Sequence, residues 1–178
     1  MIQNEVLHNI QTRRSCRAYL PQQITEEELQ TVLEAGTWAP TGRGLQSPVI
    51  VAVQNAEDIA TLSRLNAAVM HSNSDPFYGA PTVLVVLADS NNSNCVPDGS
   101  LVMGNLMLAA HSIGLGSCWI NRAREVFATE EGKALLHKWN VPHADDLIGV
   151  GNCIVGYAAP GGTRTPAPRK DDYIVMVR

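Results

Sequence analysis

The chain has 178 residues, a hydrophobic fraction of 45% and a formal net charge of −4, enough to bury a core within one domain spanning 1–178. That balance argues against a nucleic-acid partner, which a binding domain usually meets with a strongly basic face. The cations are uneven, however: of the 13 Lys and Arg residues, six fall in two short stretches, Arg13, Arg14, Arg17 and Arg164, Arg169, Lys170, a pattern suited to local anion binding on an acidic molecule.

The opening MIQNEVLHNIQ carries no cationic segment ahead of an apolar run, so it does not read as a secretory signal, and a cytoplasmic location is expected. Val6, Leu7 and Ile10 are spaced for one face of a first helix that ends before Arg13. After Pro21, Thr25 and Glu28 form a capping box, Leu29, Val32 and Leu33 supply an apolar face, and Gly36 is expected to close this second helix. Trp38 to Pro48, WAPTGRGLQSP, is a Gly- and Pro-rich loop before the strand-like run Val49 to Val53.

Asn55 and Asp58 open a third helix with Ile59, Leu62 and Leu65 inward. Met70 to Pro81 is a polar connection of the kind that covers a ligand. Thr82 to Ala88, TVLVVLA, is a continuous apolar run, which predicts a strand with helices on both faces. Leu101 to Ile120, LVMGNLMLAAHSIGLGSCWI, is apolar on nearly every side and predicts a central helix covered on most sides, capped by Asp98 and stopped at Gly114. Gly114 and Gly116 break it too early for a membrane span. Gly104, Ala109 and Ala110 leave room for a neighbouring helix, including one from a second copy of the chain. Ser117 to Ile120 follows as a short strand, Glu130 to Trp139 as a helix after Thr129, Leu147 to Tyr157 as a strand, and Tyr173 to Val177 as a last strand.

Cys16, Cys95, Cys118 and Cys153 lack CxxC pairing and read as free thiols, and the five histidines show no metal-ligand spacing. Gly114-Leu-Gly116 and Gly149-Val-Gly151 both lack the third glycine of a dinucleotide fingerprint, and no P-loop occurs. Cys16 among arginines leaves a thiol-based redox protein as an alternative. Arg13-Arg14-Ser15-Cys16-Arg17 places three guanidiniums and a hydroxyl within five residues, which suits bidentate phosphate binding and equally describes a solvated basic loop.

Taken in order, RRSxR, the capped helix ending in Ala-Gly, APTGRGLQ before a strand, and NLMLAAHSIGLGSCWI resemble the FMN-dependent nitroreductase family over nearly the whole chain. The resemblance implies an α+β fold, a three-layer αβα sandwich in an intertwined homodimer, with a C-terminal tail (about 158–178) extending toward the partner subunit. It implies FMN as cofactor, NADH or NADPH as reductant, and ping-pong reduction of nitroaromatics, quinones or related acceptors. Dehalogenation, oxidation of an amino-acid-derived substrate and a flavin-binding module without turnover remain the alternatives.

By the same resemblance, Arg13, Arg14 and Ser15 with Arg169 and Lys170 would hold the FMN phosphate and ribityl chain. Arg17 would place its charge beside the flavin N1 and C2 carbonyl. Pro40, Thr41, Gly42 and Gln46 would reach the flavin from the opposite subunit, and Trp119, Ile120, Asn121 and Arg122 would pass its N5 edge. Trp119 reads equally well as ordinary core. Gly44 stands where the family usually carries Asn, which removes an expected hydrogen bond and leaves Arg43 to compensate or to alter access for the substrate.

Overall fold

A computed structural model describes residues 2–178. Along them run α1 (Glu5–Thr12), α2 (Glu26–Thr37), β1 (Val49–Val53), α3 (Ala56–Val69), β2 (Thr82–Asp89), α4 (Cys95–Ser112), β3 (Gly116–Ile120), α5 (Ala123–Phe127), α6 (Glu130–Lys138) and β4 (Leu147–Gly156). The strands form one antiparallel sheet in the order β1-β2-β4-β3.

The continuous apolar run of β2 accounts for the layering. Val83, Val85 and Leu87 point to one side and pack with Leu62 and Leu65 of α3, Val126 and Phe127 of α5, and Leu135 and Leu136 of α6. Leu84, Val86 and Ala88 point to the other and meet Val32 of α2 with Val102, Met103 and Leu106 of α4. Each fully buried Val or Leu contributes about 1.5 to 3 kcal/mol, so β2 ties both helical layers to one strand. The fold is the expected α+β three-layer αβα sandwich.

Local signals set most element ends. Thr25 and Glu28 form the capping box of α2, Asn55 accepts from the Asp58 amide at the start of α3, and Thr129 accepts from the Gly132 amide at the start of α6. Gly114 takes the left-handed backbone (φ +84) that lets α4 turn into β3.

Several expectations need correction. Asp98 does not cap α4: the helix begins at Cys95, and Asp98 is buried in its first turn, where its carboxylate accepts from the Gly42 amide at 2.9 Å and from Asn92 at 3.2 Å. Gly36 does not stop α2, which runs on to Thr37. It is a packing glycine, because a Cβ there would lie 2.7 Å from Leu106 of α4. Tyr173 to Val177 is not a strand: a 3₁₀ turn covers Asp171–Tyr173, and Ile174 to Val177 find no strand to pair with and stay exposed. The apolar face of α1 is uncovered, with Val6 67% and Ile10 52% exposed. The short α5 went unforeseen, since five residues give too little periodicity to read.

The central helix is covered on one side only. Met103, Leu106 and Ala110 are buried, whereas Leu101 is 47% exposed and a Cβ on Gly104 would meet nothing within 4 Å.

Candidate functional site

The basic segment after α1 is laid along the free edge of β3, where Ser15 pairs with Ser117 and the Cys16 amide donates to the Ser117 carbonyl at 2.9 Å. Its start is fixed to the C-terminal half of α4 by Asn9, which donates to the Leu108 carbonyl at 3.0 Å, and by Thr12, 3.0 Å from His111. On this edge Arg13, Arg14, Ser15 and Arg169 line one cleft of about 830 Å³ together with Gln11 and Pro168, and no carboxylate lines it. Arg13 and Arg14 of the first cation cluster and Arg169 of the second, more than 150 residues away in sequence, therefore meet. Lys170 follows in the exposed tail and does not line the cleft.

The charges in this cleft, and those of Arg17 and Lys170 that flank its lining residues in sequence, are unspent. Among the described residues none of Arg13, Arg14, Arg17, Arg169 and Lys170 pairs with an acid. Arg14 is held in place by the Gln11 and Arg13 carbonyls, both at 2.7 Å. Arg13 has Nη1 buried without any partner, and Ser117 Oγ is in the same condition. A buried guanidinium nitrogen lacking an acceptor is costly, so this donor set fits an anion bearing several oxygens, such as a phosphate monoester. The effect reaches His111: burial first, and then the charges of Arg13, Arg14 and His8, push its pKa below the usual histidine value.

Arg17 is exposed, and its amide donates to the Gly162 carbonyl at 2.7 Å. Cys16 beside it is fully buried, with its thiol donating to the Ala18 carbonyl at 3.2 Å, so the thiol-redox alternative has no accessible sulfur there. Burial, aided by Cys118, pushes the Cys153 thiol up to about 12.

Along the same strand, Trp119 is half-buried and packs against Gly151 and Met103, where a Cβ on Gly151 would stand 2.6 Å from the indole nitrogen. Its core reading is thus satisfied. Ile120 points into the other layer, which leaves its backbone alone to face the edge, and Asn121 and Arg122 are exposed beyond the strand.

Pro40, Thr41, Gly42 and Gln46 lie elsewhere. Thr41 and Gln46 line a separate hollow of about 320 Å³ with Gly36, Ile50 and Val102, and Pro40 is exposed beside it. This loop leads into β1, the edge strand opposite β3, and is fastened to the first turn of α4 through Asp98. Three strand spacings separate the two edges, about 14 Å, and thirteen helical residues separate Asp98 from His111, about 20 Å. Asp98 is the residue that reading the sequence missed, because its partner Gly42 is 56 positions away and no local pattern announces it.

Of the Met70 to Pro81 connection, the part from Ser72 to Pro81 lines a third cavity, about 800 Å³, together with α3, Pro21 and Gln23, and none of the cofactor residues inferred from the sequence lies there. Asp75 orders the loop by accepting from the Phe77 and Gly79 amides and the Ser63 hydroxyl. Among the described residues no cluster of His, Cys, Asp and Glu could hold a metal ion, and no helix is long and apolar enough to cross a membrane.

A family model described as the nitroreductase family matches residues 10–157. An Archaeoglobus fulgidus protein named for NADH dehydrogenase/NAD(P)H nitroreductase is 32% identical over 175 residues, which is 95% of this chain and 90% of that protein. A namesake from Methanothermobacter thermautotrophicus is 30% identical over 119 residues, 65% of this chain and 60% of that protein. The crystal structure of a nitroreductase with bound FMN from Bacteroides fragilis superposes with a TM-score of 0.90 at 31% identity, covering 99% of this chain and 100% of that one. The order of elements, the basic cleft on the β3 edge and a family match over most of its length lead to one conclusion: the chain belongs to the nitroreductase family.

Proposed function

We propose that the chain is an FMN-dependent NAD(P)H oxidoreductase acting as a homodimer, which reduces nitroaromatics, quinones or related small acceptors in a ping-pong cycle. The observation that carries this reading is the separation of two incomplete half-sites. The cationic cleft and the Pro40 to Gln46 loop lie on opposite sheet edges and toward opposite ends of α4, which favours a ligand enclosed by the cleft of one chain and the loop of another. Two copies of α4 packed antiparallel across a two-fold axis would bring the cleft of one chain to the loop of the other. The exposed Leu101, the open space at Gly104 and the uncovered faces of α1 and the C-terminal tail support such a partner.

In this dimer Arg13, Arg14, Ser15 and Arg169 hold the phosphate, with Lys170 adding charge from the tail, and the buried Nη1 of Arg13 gains its missing acceptor. Bound FMN supplies the hydride chemistry itself. The chain's own residues position it and set its surroundings. Arg17 would supply a positive charge to the pyrimidine edge, where it would favour anionic character on the flavin. The Trp119 to Asn121 backbone lines the edge next to β3, and the partner's Pro40, Thr41, Gly42 and Gln46 cover the opposite side. The tail from about 158 to 178 reaches onto the partner and buries Ile174 to Val177.

Purified protein should be a yellow dimer that oxidises NAD(P)H when a quinone is supplied. Flavin retention without turnover would instead indicate a binding module. Subunit mixing tests the shared site directly. Arg13→Ala weakens the cleft, and Gly42→Val drives a side chain into Asn94, whose Nδ2 would be 2.3 Å from the new Cβ. A one-to-one mixture of the two flavin-poor variants should regain about a quarter of the FMN sites, because half of the dimers are mixed and each carries one intact site. No recovery in a demonstrably mixed dimer would mean that each site is built within one chain.

A further inference from the structure

We infer that Arg43 is a specificity-determining residue that makes the site prefer substrates carrying an anionic group. The inference deepens the reading above and rests on it, since only in the proposed dimer does the Arg43 loop face the partner's cleft.

Three observations support it. First, Arg43 adopts a left-handed backbone conformation, φ 56° and ψ 17°, which is uncommon for a residue with a side chain. The loop imposes that conformation from both sides: the Gly42 amide is tied to the buried Asp98 carboxylate at 2.9 Å, Asn94 packs against Gly42, the Gly44 amide donates to the Thr41 carbonyl at 3.0 Å, and the Gln46 amide donates to the Thr41 hydroxyl at 3.0 Å. Non-glycine residues held in this region cluster at ligand-binding and active sites, and Arg43 shares the conformation with Gln46 of the same loop.

Second, the guanidinium is exposed and has no acidic partner among the described residues. The Lys and Arg residues that form ion pairs are Arg64, Arg122, Lys133 and Lys138, all on or next to α3, α5 and α6. Arg43 is unpaired, as are Arg124, Arg178 and the cations of segments 13–17 and 164–170, but it stands on the sheet edge opposite the phosphate cleft, where it serves neither that cleft in its own chain nor an internal ion pair.

Third, Gly44 next to it has open space on its Cβ side, so no side chain at that position stands beside Arg43. An anionic substituent that enters the cleft from solvent would meet in Arg43 a planar donor able to bind it in a bidentate way. The anion has two possible sources, a carboxylate on the electron acceptor or the 2′-phosphate of NADPH, and the same guanidinium chemistry serves both.

The test compares FMN-loaded wild type with Arg43→Asn and Arg43→Lys. Asn removes the charge while tolerating left-handed backbone, and Lys restores the charge. One arm measures kcat/KM for 4-nitrobenzoate relative to neutral 4-nitrobenzyl alcohol, and the other measures kcat/KM for NADPH relative to NADH. In the arm that carries the true ligand, the ratio should fall about 3- to 10-fold in Arg43→Asn, through KM, and recover in Arg43→Lys. The wild-type ratio in that arm should also shrink as salt rises from low to about 0.3 M. If both ratios are unchanged in a yellow, dimeric Arg43→Asn, the inference is wrong and the proposed function stands. A wild type that is monomeric and binds no FMN removes both.

Discussion

The two helical layers of this molecule treat their surface charges and apolar side chains differently. In the layer of α3, α5 and α6, Arg64 pairs with Glu131, Lys133 with Glu130 and Arg122 with Glu125, while buried Asp58 joins α3 to Lys138 at 2.5 Å and to the Trp139 indole at 2.9 Å. In the layer of α2 and α4, with the segments leaning on it, cations stand unpaired and Val6, Ile10, Val96, Leu101 and Ile113 are exposed. Apolar side chains grouped with unpaired cations on one side of a chain describe a surface shaped for contact. The first layer pairs most of its cations within one copy, leaving Arg124 of α5 unpaired and Met70 at the end of α3 exposed, and the second gains its missing partners in the proposed dimer with its cofactor.

The sharpest way to break that contrast is Gly104→Phe. A Cβ at this position meets nothing within the chain, and replacing a helical glycine favours α4, so the isolated fold should keep its circular dichroism spectrum. At a two-fold interface the added ring intrudes twice. Overpacking costs about 1 to 3 kcal/mol per site, so dimerisation should weaken by about 2 to 6 kcal/mol, roughly 30-fold or more, and FMN should be lost with it. Analytical ultracentrifugation reads the result, and a variant that remains a flavin-loaded dimer would place the interface elsewhere.

Next in size is Arg13→Ala. Loss of one charge-assisted hydrogen bond costs about 1.5 to 3 kcal/mol, which corresponds to roughly 10- to 150-fold in FMN affinity, measured by titrating the apoprotein. Because Nη1 of Arg13 is buried and unpartnered, its removal should leave apoprotein stability unchanged or slightly raised. That combination, weaker ligand binding without a less stable fold, is not expected of a structural cation.

Asp58→Ala probes the completed layer. It strips the acceptor from Lys138 and from the Trp139 indole, and a lost buried partner of this kind costs about 1 to 3 kcal/mol in thermal stability. FMN affinity of the folded fraction should not move. The hydrogen bonds from Lys138 and Trp139 hold the Asp58 carboxyl below its ordinary value, so its contribution is fully present at neutral pH and is lost as pH falls through the lowered pKa.

The same contrast explains what could be read from the sequence. Elements finished by their own chain announced themselves: the capping box at Thr25, the Asn55 cap, and the apolar run of β2 that required two layers were all legible because their causes are local or periodic. The start of α4 was misjudged because Asp98 looks like a cap but serves a loop 56 residues away. Tyr173 to Val177 was expected to be a strand from its apolar composition, yet strand formation needs a ladder partner that this chain does not offer. The basic motif at 13–17 was visible, whereas its meeting with Arg169 and its separation from Pro40 to Gln46 are properties of topology, which no window of sequence contains.

The smallest expected effect is a pH dependence that links the two layers' difference to the ligand. In the apoprotein, burial and then the fields of Arg13, Arg14 and His8 hold His111 below its unfolded pKa, so the unfolded chain binds more protons near and below pH 6.5. Stability should therefore be full above pH 6.5 and decline as pH falls through the unfolded value toward the folded one. His111→Gln, which keeps a polar partner for Thr12, should flatten that decline when thermal midpoints are compared between pH 7 and pH 5. Bound phosphate would cancel part of the Arg13 and Arg14 field, so the histidine would be depressed less, chiefly by burial. The acid-side decline of the wild type should then be shallower with FMN than without it, while His111→Gln shows no such difference. An identical slope with and without FMN would show that the anion is not held beside these two arginines.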